Sequence, residues 1–321
     1  DVTCSPSLRT SSPSGAFEML EHTVGFGGGK IILLGEHTVV HGTPAIAAGL
    51  GRGVTSIARS APEDLLYIEP WGRTLRPGDD DPLARAFSRI LDDVGDRPPL
   101  RLDVRVDLPP GAGLGCSAAI GVSLLDAVDK TLGVGRTRAD IGARALEWER
   151  FFHGAPSGVD NTVSALGGLI RFQRSSTVRS IPLTRPLHVV VAHSGERSST
   201  KEMVARVSAR LCERPDWATK TLDEVCALVL DAELALRAGD WPRLGWALDR
   251  KQEILQSFGL STPRLESLCE LARSTGAHGA KVTGAGGGGC IIALAEDESH
   301  AARIAEALDA DAFVEEISHA A

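Results

Sequence analysis

The stretch GAGLGCSA at 111–118 sets Gly111, Gly113 and Gly115 directly ahead of AAIGVSLLDAVDKTLG, where Ile120, Leu124 and Val128 share one helical face. A glycine-rich turn at a helix start can cradle an anion. Residues without Cβ let the backbone approach closely, and the first helical N–H groups and the positive end of the helix dipole face the ligand. A polyphosphate is the natural occupant. The spacing is not that of GxxxxGK[ST], because Cys116 stands where the lysine belongs, nor that of GxGxxG. From spacing alone the glycines fit a phosphate cradle or a tight structural turn equally well, and Ser117 fits a metal ligand or a helix N-cap.

Two carboxylates could serve such a site. Glu149 lies on a helix expected over 138–152, opposite part of the stripe formed by Ile141, Ala145, Trp148 and Phe152. With the Ser117 hydroxyl and two phosphates it would complete an octahedral Mg²⁺ site. A solvated glutamate paired with Arg150 or another cation is the plainer alternative, and spacing alone favours it. Asp160 sits in HGAPSGVDNTVSALGG (153–168), where it could accept a hydroxyl proton or simply cap a helix.

Lys30 precedes Glu36 and His37, and a lysine beside a carboxylate could offset charge on a reacting hydroxyl or a transferring phosphoryl group. The alternatives are a strand-edge lysine reaching water and a satisfied structural histidine. KVTGAGGGGC (281–290) has five glycines in six positions, backbone able to approach phosphate or substrate where side chains would collide. Residues Arg197 to Lys201 form a basic, hydroxyl-rich patch that reads as a solvated loop or as a lid over substrate.

Several elements must position these groups. KIILLGEHTVVHG reads as a buried strand entering a glycine-bounded turn, and RLDVRVDL (101–108) alternates as a half-buried strand. Two prolines and a switch to an apolar strand put a domain boundary at 182–187. Helices are expected near 198–213, 218–237, 241–257 and 263–274, and the end reads strand, helix, strand. Residues 1–20 read as a flexible tail, 21–184 as an N-terminal domain and 185–321 as a C-terminal domain. The 35 glycines concentrate at 25–35, 111–115 and 284–289, which reads as three walls of one cleft.

Composition narrows the function class. With 34 Lys plus Arg against 42 Asp plus Glu, the net charge is −8 with histidines neutral, which argues against a nucleic-acid partner. A local pocket for a small anion remains compatible with that total. No apolar run approaches the roughly 20 residues of a bilayer span, and no secretory signal is evident, so no membrane association is expected. Six dispersed cysteines without a CxxC pair suit reduced thiols in a cytoplasmic protein.

Together, GKIILLGEHTVVHGTPAIA, PPGAGLGCSAA and KVTGAGGGGC resemble the three ordered motifs of the GHMP small-molecule kinases. GEHTVVHGTPAIA and ERFFHGAPSGVDNTVSALGG are most similar to the mevalonate kinase branch. The resemblance implies an α+β, two-domain GHMP kinase fold, with an S5-like, ATP-binding N-terminal domain, a ferredoxin-like C-terminal domain and a cleft between them. It implies ATP and Mg²⁺ as cofactors, mevalonate phosphorylated on its 5-hydroxyl, and a homodimer. By the same resemblance Asp160 and Lys30 are catalytic. Pro110, Gly111, Ala112, Gly113, Leu114, Gly115, Cys116 and Ser117 wrap the ATP phosphates, and Ser117 with Glu149 holds the metal. Glu36, His37, Asp160, Thr200, Gly284, Ala285 and Gly286 face the substrate.

Two departures stand out: GLGCSA replaces the usual GLGSSA, and Lys251 occupies a position where the branch commonly carries asparagine. Other GHMP acceptors (phosphomevalonate, homoserine, a sugar), an ATP-using decarboxylase and a non-catalytic nucleotide sensor are the competing readings. Thr38-Val39 after GEH argues against a sugar kinase, where Asp-Tyr is usual.

Overall fold

The computed structural model describes residues 22–109, 111–153, 156–174, 176–308 and 311–318. The expected tail at 1–20 and Pro110 lie outside them. Two sheets organise the chain.

The first sheet starts with a long hairpin, β1 (Thr23–Leu34) against β2 (Ala45–Ser60), antiparallel from Thr23↔Ala58 to Leu34↔Ile46. Strands β3 (Leu65–Ile68) and β4 (Arg73–Leu75) follow, then α1 (Pro82–Asp92) and β5 (Leu100–Val106). The helices α2 (Cys116–Leu132), α3 (Arg138–His153) and α4 (Val159–Leu166) come next, and β6 (Leu169–Phe172) and β7 (Arg179–Ser180) complete the sheet. Its order is β4-β3-β5-β2-β6-β7, with β1 on β2.

The glycines at the start of β1 have a packing role. A Cβ on Gly25 would lie 2.2 Å from the Ser123 carbonyl oxygen, and one on Gly27 would lie 2.2 Å from that of Ala119. Strand β1 and helix α2 therefore touch backbone to backbone, which any side chain would prevent. Residues 25–29 do not line the cleft, so the expectation that this cluster forms a cleft wall is corrected: only Lys30 onward does. Helix α2 is buried on every face from Ala118 to Asp129, where the sequence pattern pointed to a single apolar stripe. It is sandwiched between the hairpin and α3, and the buried Asp126 accepts the Phe26 N–H at 2.9 Å.

The chain leaves the first sheet at Ser180 and enters the second at Leu187. That sheet contains β8 (Leu187–His193), then after α5 (Thr200–Glu213), α6 (Pro215–Ala238), α7 (Trp241–Ser257) and α8 (Pro263–Ser274), the strands β9 (Ala280–Thr283) and β10 (Cys290–Ala295). Helix α9 (Glu298–Leu308) and β11 (Ala312–Ile317) finish it. The order β11-β8-β10-β9, antiparallel throughout, is the ferredoxin-like arrangement, enlarged by extra helices after its first strand. No helix among the described residues is long and apolar enough to cross a membrane.

Candidate active site

A cleft of about 560 Å³ opens where the two sheets' loops meet. Lys30 enters it from β1 with only 4% of its side chain exposed, so the reading of a strand-edge lysine reaching water does not hold. Its N–H donates to the Leu114 carbonyl at 2.9 Å. A Cβ on Gly115 would fall 2.7 Å from Lys30 Cγ, and Gly115 has φ +77°, so this glycine both makes the turn and leaves room for the lysine stem. Lys30 Nζ reaches Asp160 Oδ1 at 3.2 Å. Asp160 lies in the first turn of α4, whose cap position belongs to Gly158, and a third of its side chain faces the cleft. The capping role considered for it is overturned.

Ser117 likewise is not a cap: Gly115 takes that position and Ser117 is the second residue of α2. Its hydroxyl donates to Glu149 Oε1 at 2.6 Å. Glu149 is buried, and Arg150 pairs with Glu147 instead, so the solvated Glu149–Arg150 pair is corrected. Burial pushes the Glu149 carboxyl up to about 7, reinforced by nearby Asp160 and opposed by the Ser117 hydrogen bond and Lys30. Two hard oxygen donors from different helices thus meet at one wall of the cleft. No cluster of three His, Cys, Asp or Glu side chains among the described residues could form a closed cage. That donor set fits Mg²⁺, which takes one or two protein oxygens alongside phosphate and water.

Helix α2 makes its first backbone rung from the Ala119 N–H to the Gly115 carbonyl at 3.0 Å. The N–H groups of Cys116, Ser117 and Ala118 precede that rung at the positive end of the dipole. Gly111 (φ +71°) and Gly113 (φ +74°) carry the loop past them. Cys116 lines the cleft with its thiol pushed up to about 11, chiefly by burial and further by Glu149, so it adds no thiolate charge beside this anion cradle.

The opposite wall comes from the second sheet. A Cβ on Gly284 would lie 2.8 Å from the Gly113 carbonyl oxygen, and one on Gly289 would lie 3.0 Å from that of Ala112, so the two glycine loops touch through backbone alone. Gly284, Ala285, Gly286, Gly288 and Gly289 line the cleft, whereas Gly287 packs on Met203. Thr200, at the start of α5, lines it together with Ser198 and Lys201.

Glu36 and His37 turn into the cleft at the end of β1. His37 has φ +64°, the one positive φ of a non-glycine residue among those described. Its Nε2 lies 2.8 Å from the Ala285 carbonyl, and since a carbonyl only accepts, Nε2 carries the hydrogen. Burial, with Lys251 adding to it, holds the imidazole down at about 4, so the ring is neutral at physiological pH.

Every described residue that the resemblance assigned to the cleft lines it: Lys30, Glu36, His37, Gly111 to Ser117, Glu149, Asp160, Thr200 and Gly284 to Gly286. Pro110 lies outside the described residues. Two features were missed. The buried Lys281 forms an ion pair with Glu36; its signal was a lysine inside the apolar start of KVTGAGGGGC. An apolar wall of Ile32, Val39, Val40, Phe152 and Val204 comes from four separate parts of the chain and has no sequence pattern.

Comparison with known proteins places these observations. The GHMP kinases N terminal domain model matches residues 82–168 and the GHMP kinases C terminal model matches 232–315. A mevalonate kinase of Thermococcus sibiricus is 34% identical over 296 residues, spanning 84% of this chain and 88% of that protein. One from Methanothermobacter thermautotrophicus is 35% identical over 267 residues, spanning 82% and 87%. The crystal structure of L. major mevalonate kinase in complex with R-mevalonate superposes with a TM-score of 0.81 at 28% identity, covering 93% of this chain and 97% of that one.

Proposed function

The chain belongs to the GHMP kinases, phosphotransferases acting on small hydroxylated substrates, and on that premise we propose that it transfers the γ-phosphoryl group of ATP to the 5-hydroxyl of mevalonate, giving 5-phosphomevalonate and ADP. The observation carrying this reading is the Lys30–Asp160 pair, set in one cleft beside the glycine loop and the N-terminus of α2. The choice of mevalonate draws support from the mevalonate kinases that match over more than four-fifths of this chain.

The backbone N–H groups at the start of α2 bind and orient the phosphates, and the flanking glycine loops keep side chains out of their way. Ser117 and Glu149 would hold Mg²⁺, which when bound would neutralise phosphate charge. Lys30 engages Oδ1 of Asp160 and fixes the carboxylate, leaving the exposed part of Asp160 toward the acceptor. The acceptor oxygen forms a bond to the γ-phosphorus as the bond to the β,γ-bridging oxygen breaks, and Asp160 takes the hydroxyl proton. Lys30 offsets negative charge gathering on the acceptor oxygen. His37, neutral and donating from Nε2 to Ala285, stands with Glu36 and Thr200 on the acceptor side.

The test is an acceptor screen with the purified chain, ATP and Mg²⁺, with products identified by mass and NMR. Mevalonate is expected to yield 5-phosphomevalonate. Efficient phosphorylation of another acceptor with none of mevalonate overturns the assignment, and release of CO₂ would point to decarboxylase chemistry.

A further inference from the structure

Behind the acceptor side lies a charge arrangement that the proposed reaction leaves unexplained. Glu36 is buried and meets two fully buried lysines, Lys281 from β9 and Lys251 from α7. Lys281 already forms an ion pair with Oε1 of Glu36 and also reaches the Ile32 carbonyl at 3.2 Å. Lys251 Nζ stands 3.9 Å from Oε2, beyond hydrogen-bond range, and instead donates to the Glu36 backbone carbonyl at 3.3 Å. One carboxylate between two ammonium groups leaves a net positive charge in the interior. A second lysine recovers little pairing energy for a large desolvation cost. Burial accordingly draws the Lys251 ammonium down to about 8.

The atom Lys251 holds explains why that cost is borne. The Glu36 carbonyl belongs to the peptide plane that joins Glu36 to His37, and any rotation of that plane changes the φ of His37 together with the ψ of Glu36. At +64° this φ is in the left-handed region, which carries a steric cost for a residue with a Cβ and so is held by surrounding contacts. Three contacts hold it: the Thr38 N–H to the Glu36 carbonyl at 2.8 Å, Lys251 to the same oxygen, and His37 Nε2 to Ala285. Two of the three come from the C-terminal domain. We propose that Lys251 is a positioning residue for the acceptor: by holding the Glu36–His37 peptide in its left-handed turn, it presents the His37 imidazole to the acceptor side of the cleft in a single tautomer. The inference rests on the reading of the cleft as a phosphotransferase site. It gives the lysine at a position commonly occupied by asparagine a role in acceptor affinity rather than in phosphoryl transfer.

The experiment is a double-mutant cycle of Lys251→Met and His37→Asn, measured on whichever acceptor the wild-type chain phosphorylates. K251M is expected to raise the acceptor KM on the order of tenfold, while kcat and the ATP KM change less than about twofold. The double variant should bind acceptor no worse than H37N alone, because Lys251 acts through His37. An unchanged acceptor KM in K251M, additive effects, or equal damage to both substrates' KM and to kcat would overturn the proposal. If K251M fails to fold, K251L, which likewise lacks a donor, takes its place. A further readout needs no turnover: ¹⁵N spectra of the wild-type imidazole should show His37 as the Nε2–H tautomer, and a tautomer mixture there would also overturn the proposal. Whether the wild type phosphorylates mevalonate tests the functional reading separately, since the cycle compares variants on the acceptor actually used.

Discussion

Lys30 and Asp160 form an asymmetric pair: the lysine is 4% exposed and the aspartate 34%, with 3.2 Å between Nζ and Oδ1. The cation is fixed by burial beneath Gly115, while the carboxylate keeps one side open to the cleft. Asp160→Asn preserves the shape and removes the proton acceptor. Turnover is expected to fall by about 10²–10⁴-fold, the usual worth of a general base, with a thermal midpoint close to wild type. Near-normal turnover in a folded D160N variant would remove Asp160 from the mechanism.

Glu149 presents a conflict between stability and function. Its carboxyl, raised to about 7 by burial, is largely ionised at pH 8 and costs the fold stability there. Glu149→Gln keeps an acceptor for the Ser117 hydroxyl but loses the charge. We expect a thermal midpoint at pH 8 that is unchanged or higher, together with at least a hundredfold loss of Mg²⁺-dependent turnover. A clear drop in the midpoint at pH 8 would contradict this account of the carboxylate.

His37 ties stability to acid. Its pKa falls from 6.5 in the unfolded chain to about 4 in the fold, so between those values the unfolded chain binds the proton and the folded chain does not. Stability from this residue is complete above pH 6.5 and declines by roughly 3 kcal/mol as pH falls toward 4. Urea unfolding of the wild type and His37→Asn across pH 4–7 should show a steeper acid limb in the wild type. Parallel limbs would refute it.

Two glycine substitutions separate packing from binding. Gly27→Ala drives a methyl group to 2.2 Å from the Ala119 carbonyl oxygen, backbone that cannot yield cheaply. It should cost several kcal/mol or abolish folding. At Gly111 the nearest atom to an added Cβ is Arg197 Cγ at 3.6 Å, so Gly111→Ala bears mainly the strain of φ +71°, about 1–2 kcal/mol. Its main expected effect is a raised ATP KM in a folded protein. Chemical denaturation and ATP titration of both variants check the contrast, and a G111A variant with unaltered ATP KM would take Gly111 out of the phosphate loop.

How much of this was legible before folding depends on the range of the interaction. The anion cradle is local: glycines, a hydroxyl and a helix start lie within eight consecutive residues, and the sequence by itself determined that α2 begins there. The strand alternation at 101–108 and the closing strand, helix and strand are local patterns too, and they appear as β5, β10, α9 and β11. Motif order determined the family. Burial was a different matter. Spacing favoured a solvated Glu149, and only the packing of α3 against α2 brought it beneath Ser117. The glycines of 25–29 looked like those of the cleft because residue type does not reveal what approaches. Tertiary structure made them the seat of α2. The same holds for Lys251 and Lys281, separated from Glu36 by 215 and 245 residues. Their charge is visible in the sequence, but desolvation and pairing are properties of the assembled interior, and these turn a charged side chain into a device that holds one peptide plane in place.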